Sequence, residues 1–389
     1  MVYIPPFRFI SPDVGVYLYY AGRDRKFMRT SQLEGKVFLD LPGFLANQDT
    51  FGSEDRTIQA LNRADAVKRF LRDPANRPGP RPLNEYPTTI PTVEGKADRG
   101  FSADLGNIRT MFLDINPGDI VIMTPNNHYD NLLVGEIISS WSAENVMRIA
   151  EYGDHTLPYL PVKWLSHSLS RRDFPSEVAR RLQNRKAITK IDPDYYESIF
   201  RFLYTAYSWG NTSKLDIFGP GYDSSDPTSN VEASFLVKYA VAYYSAFING
   251  NIDKFNELTI EEAANHYFDR AIAIQIAQAF GSPGGYVTKL IGSGAALGVA
   301  LILGVALGSE AQTPEQAQQA ATEHATAVHQ EHHGRIDVDL PGLGNSMRAG
   351  NTQQLRERYG RAARAKIGMT LAGVRPPELQ AREGVQREP

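Results

Sequence analysis

Apolar positions along the chain follow three patterns. The first is the short β-branched or aromatic run. Val14–Tyr20 (VGVYLYY), Lys36–Asp40 (KVFLD), Ile120–Met123, Leu132–Ile138 and Leu160–Trp164 each predict a strand. Asn116-Pro117-Gly118-Asp119 predicts the turn before the third of these, and Asn126, Asn127 and Asp130 mark a hairpin loop after it. The second pattern is helical spacing. Ile58, Leu61, Ala66, Phe70 and Leu71 place a surface helix over 55–73, Ile108, Met111, Phe112 and Ile115 a short one, and 174–184 another, opened by Pro175. Pro74, Pro78, Pro80, Pro82, Pro87 and Pro91 impose too many ring constraints for regular structure, so 74–92 is predicted as an extended loop.

Helical spacing continues after Asp192-Pro193, an N-cap and N1 pair, with Tyr195, Tyr196, Ile199, Phe200, Phe202 and Leu203. Ser229 with Glu232 and Thr259 with Glu262 have capping-box spacing. The first precedes Phe235, Leu236, Tyr239, Tyr243 and Phe247; the second precedes Ala263, Phe268, Ile272 and Ile276. A helical bundle over 193–285 is the expectation. Val231–Ile248 is almost apolar all round and reads as its core helix, with a membrane-surface helix as the alternative. Gly281, Pro283, Gly284 and Gly285 form a joint after it.

The third pattern is Leu290–Leu307, LIGSGAALGVALILGVAL, which carries no charge. As one helix it would be about 27 Å long, close to the ~30 Å hydrocarbon thickness of a bilayer. One transmembrane helix is therefore expected within 286–309, weakly apolar enough to insert conditionally. Leu290, Leu301 and Leu307 are among its apolar positions, and Gly294, Gly298 and Gly304 would let helix backbones approach closely. The alternative is a buried Ala/Gly-rich helix of a soluble domain. Arg270 and Lys289 before the run, and Glu310, Glu315 and Glu323 after it, agree with an N-in, C-out orientation.

Composition narrows the classes. The 389 residues carry a net charge of -3, which excludes a nucleic-acid binder by bulk charge. The absence of cysteine excludes disulfides, a thiol nucleophile and a Cys-based zinc site. MVYIPPFRFISPD lacks the basic start and uninterrupted apolar core of a secretory signal, so the expectation is a cytoplasmic protein with inducible or permanent inner-membrane association.

Several short motifs recur in a recognisable order: Tyr20-Ala21-Gly22-Arg23 with Arg25 and Phe27, then Gly35-Lys36-Val37, then Ile115-Asn116-Pro117-Gly118-Asp119-Ile120-Val121 with Pro125, then Gly135-Glu136-Ile137. His155, Leu160-Pro161-Val162-Lys163-Trp164 and Thr189-Lys190-Ile191 complete the set. Residues 10–192 thereby resemble the N-terminal domain of Mrr-type restriction and defence proteins, itself similar to PUA-like, EVE and YTH modules. The resemblance implies a small β-barrel whose groove accepts a flipped or modified base by aromatic stacking and edge hydrogen bonds. Tyr20 and Trp164 are the candidate walls, Arg23 and His155 the candidate donors. Core packing for Trp164, a structural histidine at 155 and a solvated Arg23 are the competing readings.

Mrr proteins usually carry a nuclease domain with a Glu-x-Lys motif. The chain's Glu94-Gly95-Lys96 sits in the Pro-rich stretch, and no nuclease-like pattern follows residue 192. Thr313-Pro314-Glu315-Gln316 predicts a further helix to about Gln330. His329 and His333 there have the spacing of two zinc ligands, without a third at fixed spacing. RERYGRAARAK (356–366) reads as a basic amphipathic helix or a disordered tail. No catalytic geometry or cofactor site emerges, so the chain is not expected to be an enzyme.

The expected architecture is α+β: a small PUA-like β-barrel over 1–192, a helical domain over 193–285, one transmembrane helix in 286–309, and a helical then basic tail over 310–389. The expected function is a membrane-acting effector of a bacterial antiviral (phage) defence system. It would oligomerise in the lipid bilayer and disrupt it when a sensor protein, or a nucleotide or nucleic-acid ligand, triggers it. The alternative is a soluble reader of modified bases or nucleotides related to restriction systems.

Overall fold

The computed structural model describes residues 7–72, 82–86, 99–125, 127, 130–165, 169–184, 186–219, 227–279, 284–307, 313–331, 335–347, 349–365, 369 and 371. The chain forms two compact units, one of residues 13–202 and one of residues 1–12 with 203–389. Strand β1 (Arg8–Ile10) therefore belongs to the second unit.

In the first unit β2 (Val16–Tyr19), α1 (Met28–Glu34), β3 (Lys36–Phe38), α2 (Gln48–Phe51), α3 (Glu54–Arg72) and α4 (Arg99–Arg109) precede β4 (Ile120–Met123) and β5 (Leu133–Ile137). Then come β6 (Val146–Arg148), β7 (Thr156–Leu165), α5 (Ser176–Arg181), β8 (Ile188–Lys190) and α6 (Tyr196–Leu203). The sheet runs β3-β7-β5-β4-β2-β8, with β6 attached to β7; β2 and β4 are parallel and every other pair is antiparallel.

In a flat sheet β2 and β3, four strand spacings apart, would be separated by roughly 19 Å. Instead the Tyr19 hydroxyl donates to the Phe38 carbonyl at 2.7 Å, so the sheet is curled until its first strand, β3, and its fifth, β2, meet across one side chain. Its interior holds Tyr17, Tyr19, Phe38, Met111, Val121 and Leu160. Along α3 the residues Thr57, Leu61, Ala64 and Val67 are buried at helical spacing, while Glu54 and Asp55 in the first turn and Arg69 and Arg72 in the last match the helix dipole.

In the second unit β9 (Ala206–Trp209), β10 (Thr212–Gly219), α7 (Pro227–Ile248), α8 (Ile252–Glu257), α9 (Ile260–His266), β11 (Ala273–Ala279) and β12 (Gly284–Ile291) precede the C-terminal helices. These are α10 (Ala295–Ala306), α11 (Pro314–Glu331), α12 (Leu340–Ser346), α13 (Ala349–Leu355) and α14 (Arg361–Ala365). The sheet order is β1-β9-β10-β12-β11. Leu215, Ile217 and Leu290 from this sheet share one core with α7 and α10.

Three sequence expectations are corrected. The expected transmembrane helix does not form. Leu290 and Ile291 end β12, Gly292 turns the chain at φ 109°, and the helix covers only Ala295–Ala306, twelve residues and about 18 Å. Among the described residues no helix is long and apolar enough to cross a membrane. Every residue of α10, Leu301 and Gly304 included, is buried against α7, α11, α12, α13 and β10.

The glycines serve that packing: a Cβ on Gly294 would lie 2.5 Å from Val338 Cγ1, and one on Gly298 2.6 Å from the Tyr244 ring. Leu307 closes the helix as its C-cap. A run without charge measures burial, and here one buried run is shared by a strand, a turn and a helix.

The second correction is the all-helical middle. Thr259 and Glu262 do form a capping box, but α9 stops at His266, and 273–279 is a strand. Ile272, Ile274 and Ile276 recur at period two, which outweighs the looser four-residue spacing. The third concerns Ser229, which is buried inside α7, two residues past its start, and is not its cap. In the tail, Tyr359 stacks on Phe235 at 4.4 Å between ring centroids and Ala363 is buried, so 355–365 packs on the core as helix. Glu94-Gly95-Lys96 and His333 lie outside the described residues.

Candidate ligand-binding pocket

A cavity of about 390 Å³ opens in the first unit where five segments converge: the end of β2 with its turn, the end of β3 with the chain after it, α3, α4, and the residues before β8. Tyr20, Gly22 and Arg23 come from the first. Gly22, Asp24 and Arg25 all have positive φ, at 73°, 54° and 56°. For Asp24 and Arg25 this conformation costs about 1–2 kcal/mol each, and neighbouring contacts hold it. Arg25 N–H donates to Gly22 O at 3.0 Å and Phe27 N–H to Ala21 O at 3.1 Å. The Arg25 guanidinium lies over the Tyr20 ring, 4.6 Å from its centroid, and donates to Thr124 Oγ1 at 3.3 Å. Tyr20 is thus fixed between a cation and the cavity, and Arg23 is left exposed at the rim.

Asp40, whose side chain is 10% exposed, organises the opposite wall. Its Oδ1 accepts from the Tyr152 hydroxyl, and its Oδ2 faces Lys68 at 3.1 Å, Arg72 at 3.6 Å and Lys26 at 3.9 Å. Burial, then the bond to Asp40, pushes the Tyr152 hydroxyl well above the ordinary tyrosine range. Lys68 also donates to Asp40 O at 2.8 Å. Lys68 and Arg72, one turn apart on α3, therefore both line the cavity. Asp104 and Asn107 do the same from α4. Burial raises the Asp104 carboxyl pKa, and the Lys68 charge opposes that rise. Lys186 completes the lining.

Arg23, Lys68, Arg72 and Lys186 against Asp40 and Asp104 leave the cavity positive. It brings together an aromatic ring at Tyr20, several cations, and one partly desolvated carboxylate beside an amide. That set binds an anionic molecule that also carries a flat polar ring.

The four sequence candidates divide. Tyr20 and Arg23 line the cavity; His155 and Trp164 do not. His155, 7% exposed, packs edge-on against Tyr86 at 5.4 Å, and burial lowers its pKa. Trp164 donates from Nε1 to Ser31 O at 2.9 Å, fastening α1 to β7, and its ring covers Gly135, where a Cβ would lie 2.7 Å from it. Sequence reading missed Asp40, Lys68, Arg72, Asp104, Asn107 and Lys186. The available signal was the Lys68/Arg72 pair at i,i+4 on a helix whose other face is apolar. Among the described residues no group of three His, Asp or Glu is placed to hold a metal.

No family model, curated protein or solved structure matches the chain.

Proposed function

We propose that the first unit binds a nucleotide or a modified base, the second of the two readings drawn from the sequence. The observation that carries it is the pairing, within one cavity of nucleotide size, of a cation-backed tyrosine face with Lys68, Arg72, Lys186 and Arg23. A nucleobase stacks on the first and a phosphate pairs with the second. Asp104 and Asn107 supply acceptors and donors for a base edge, which a simple phosphate pocket would not need. The resemblance to Mrr-type N-terminal domains points to the same ligand class and to a role beside restriction systems.

A membrane-disrupting role depends on a segment that spans the bilayer, and Leu290–Leu307 is divided between a strand and a short buried helix. The base-reading proposal does not depend on that segment. Its first test is a thermal-shift panel of nucleosides, nucleotides and their base-modified forms on the full chain. Nucleotides should raise the Tm above what nucleosides achieve, with preference among bases. A flat response across the panel would reject the reading.

A further inference from the structure

Arg171 is a buried charged group of the first unit that lies outside the cavity. It opens a short 3-10 turn (Arg171–Asp173) and is only 8% exposed. Its Nη2 is buried without a hydrogen-bond partner among the described residues. Asp173, the nearest acid in sequence, is engaged elsewhere: its Oδ2 accepts the Ser170 N–H at 2.6 Å. The charge that does act on Arg171 has its own sign. Burial first, and Arg25 second, lower its pKa.

The fold accounts for this meeting of two guanidinium groups. Asn131 bridges Ser170, and Leu132 N–H donates to Leu169 O at 2.7 Å, which sets Arg171 beside the start of β5. There β5 pairs with the end of β4, Leu133 against Met123. Thr124 follows Met123 and is the residue that accepts from Arg25. Arg25, Thr124 and Arg171 therefore collect beyond the carboxyl ends of the parallel strands β2 and β4. Burying a guanidinium nitrogen that has no hydrogen-bond partner among the described residues is costly, and a second cation beside it adds to the cost. A bound anion relieves both.

We propose that Arg171 and Arg25, with the Thr124 hydroxyl, form a phosphate site distinct from the cavity, and that the phosphate is a phosphodiester of a strand whose base enters the cavity. The second half rests on the nucleotide-reading proposal. The first half does not. Tyr20 joins the two sites, since one side of its ring lies under Arg25 and it also lines the cavity.

The test is the Tm of the full chain in sodium phosphate and in sodium chloride at matched ionic strength. The wild type should gain several degrees in phosphate. Arg171→Met should lose that gain while its Tm in chloride holds or rises, because an apolar chain of similar length replaces a buried guanidinium that sits beside a second one. Arg25→Gln should halve the gain or more, and carries the test alone if Arg171→Met does not fold. A gain absent from the wild type, or undiminished in both variants, overturns the site; phosphate held only by Lys68, Arg72 and Lys186 would give the second result.

Affinity for a short single-stranded oligonucleotide then identifies the source of the phosphate. It should exceed mononucleotide affinity at least tenfold in the wild type and match it in Arg171→Met. Equal affinities in the wild type would overturn the strand assignment. Binding of an uncharged nucleoside reports the cavity alone, so failure there is a separate result.

Discussion

The Asp337 carboxylate holds the chain entering α10, at its N-cap Gly294: Oδ1 accepts the Gly294 N–H at 2.8 Å, and Oδ2 accepts that of Ser293 at 2.9 Å. The first is a donor that the helix start leaves free, the second fixes the residue leading into it, and a negative charge there suits the dipole. Asp337→Ala should therefore destabilise the protein by about 1 kcal/mol, and Asp337→Asn by less, because the amide oxygen still accepts. Urea denaturation followed by far-UV circular dichroism measures both. Equal stability of Asp337→Ala and wild type would show that the cap contributes nothing.

The glycine positions of α10 separate two explanations of the same residues. Had they served helix association in lipid, an added methyl at 298 would leave the folded unit unaffected. Here that methyl meets the buried Tyr244 ring at 2.6 Å. Gly298→Ala should cost about 1–3 kcal/mol by overpacking, visible in the same denaturation experiment. Full retention of stability would mean that Tyr244 has room to move.

Asp104 should trade stability for binding. Its folded pKa is raised, chiefly by burial, so ionisation costs the folded state stability once the pH rises above the unfolded carboxylate value near 3.9. Asp104→Asn should raise the Tm at pH 7, and the gain should fade as the pH falls below about 4, where the wild type is itself protonated. The same variant should shift base preference. A Tm at pH 7 no higher than wild type would remove the argument that Asp104 is held at a cost.

His155 gives the opposite slope. Its folded pKa is depressed by burial, so the neutral ring is favoured and its contribution is fully present above the unfolded value near 6.5. That contribution is lost as the pH falls from there through the folded value. The Tm of the wild type should decline across that acid window more steeply than that of His155→Gln, which cannot charge. Parallel Tm profiles would contradict the burial argument.

How much was legible in the sequence follows from what each residue pattern measures. Ile120–Met123 and Lys36–Phe38 were found because an apolar, β-branched or aromatic run between turn residues has one common solution, and their strands lie within the predicted ranges. Helix α3 was found because its apolar positions mark a single face. Strand β11 was missed because Ala263, Phe268, Ile272 and Ile276 suit a helix as well as Ile272, Ile274 and Ile276 suit a strand. The burial of Ile302 and Leu303 was legible as absence of charge, but a bilayer and a protein core give the same signal. At the candidate site, Tyr20 and Arg23 were visible beside a glycine turn. Asp104 and Lys68 were not, because their meeting depends on two helices separated by a proline-rich segment, and no local spacing records it.

The central claim is that Tyr20 and Arg72 bind the two ends of one nucleotide. Isothermal titration of the full chain with the nucleotide that ranks first in the thermal-shift panel tests it most directly, repeated with Tyr20→Ala and Arg72→Ala. Saturable 1:1 binding in the wild type is predicted, weakened tenfold or more in each variant, with added salt reducing the affinity of Tyr20→Ala far more than that of Arg72→Ala. Wild-type heats indistinguishable from dilution, or affinities unchanged in both variants, would contradict it.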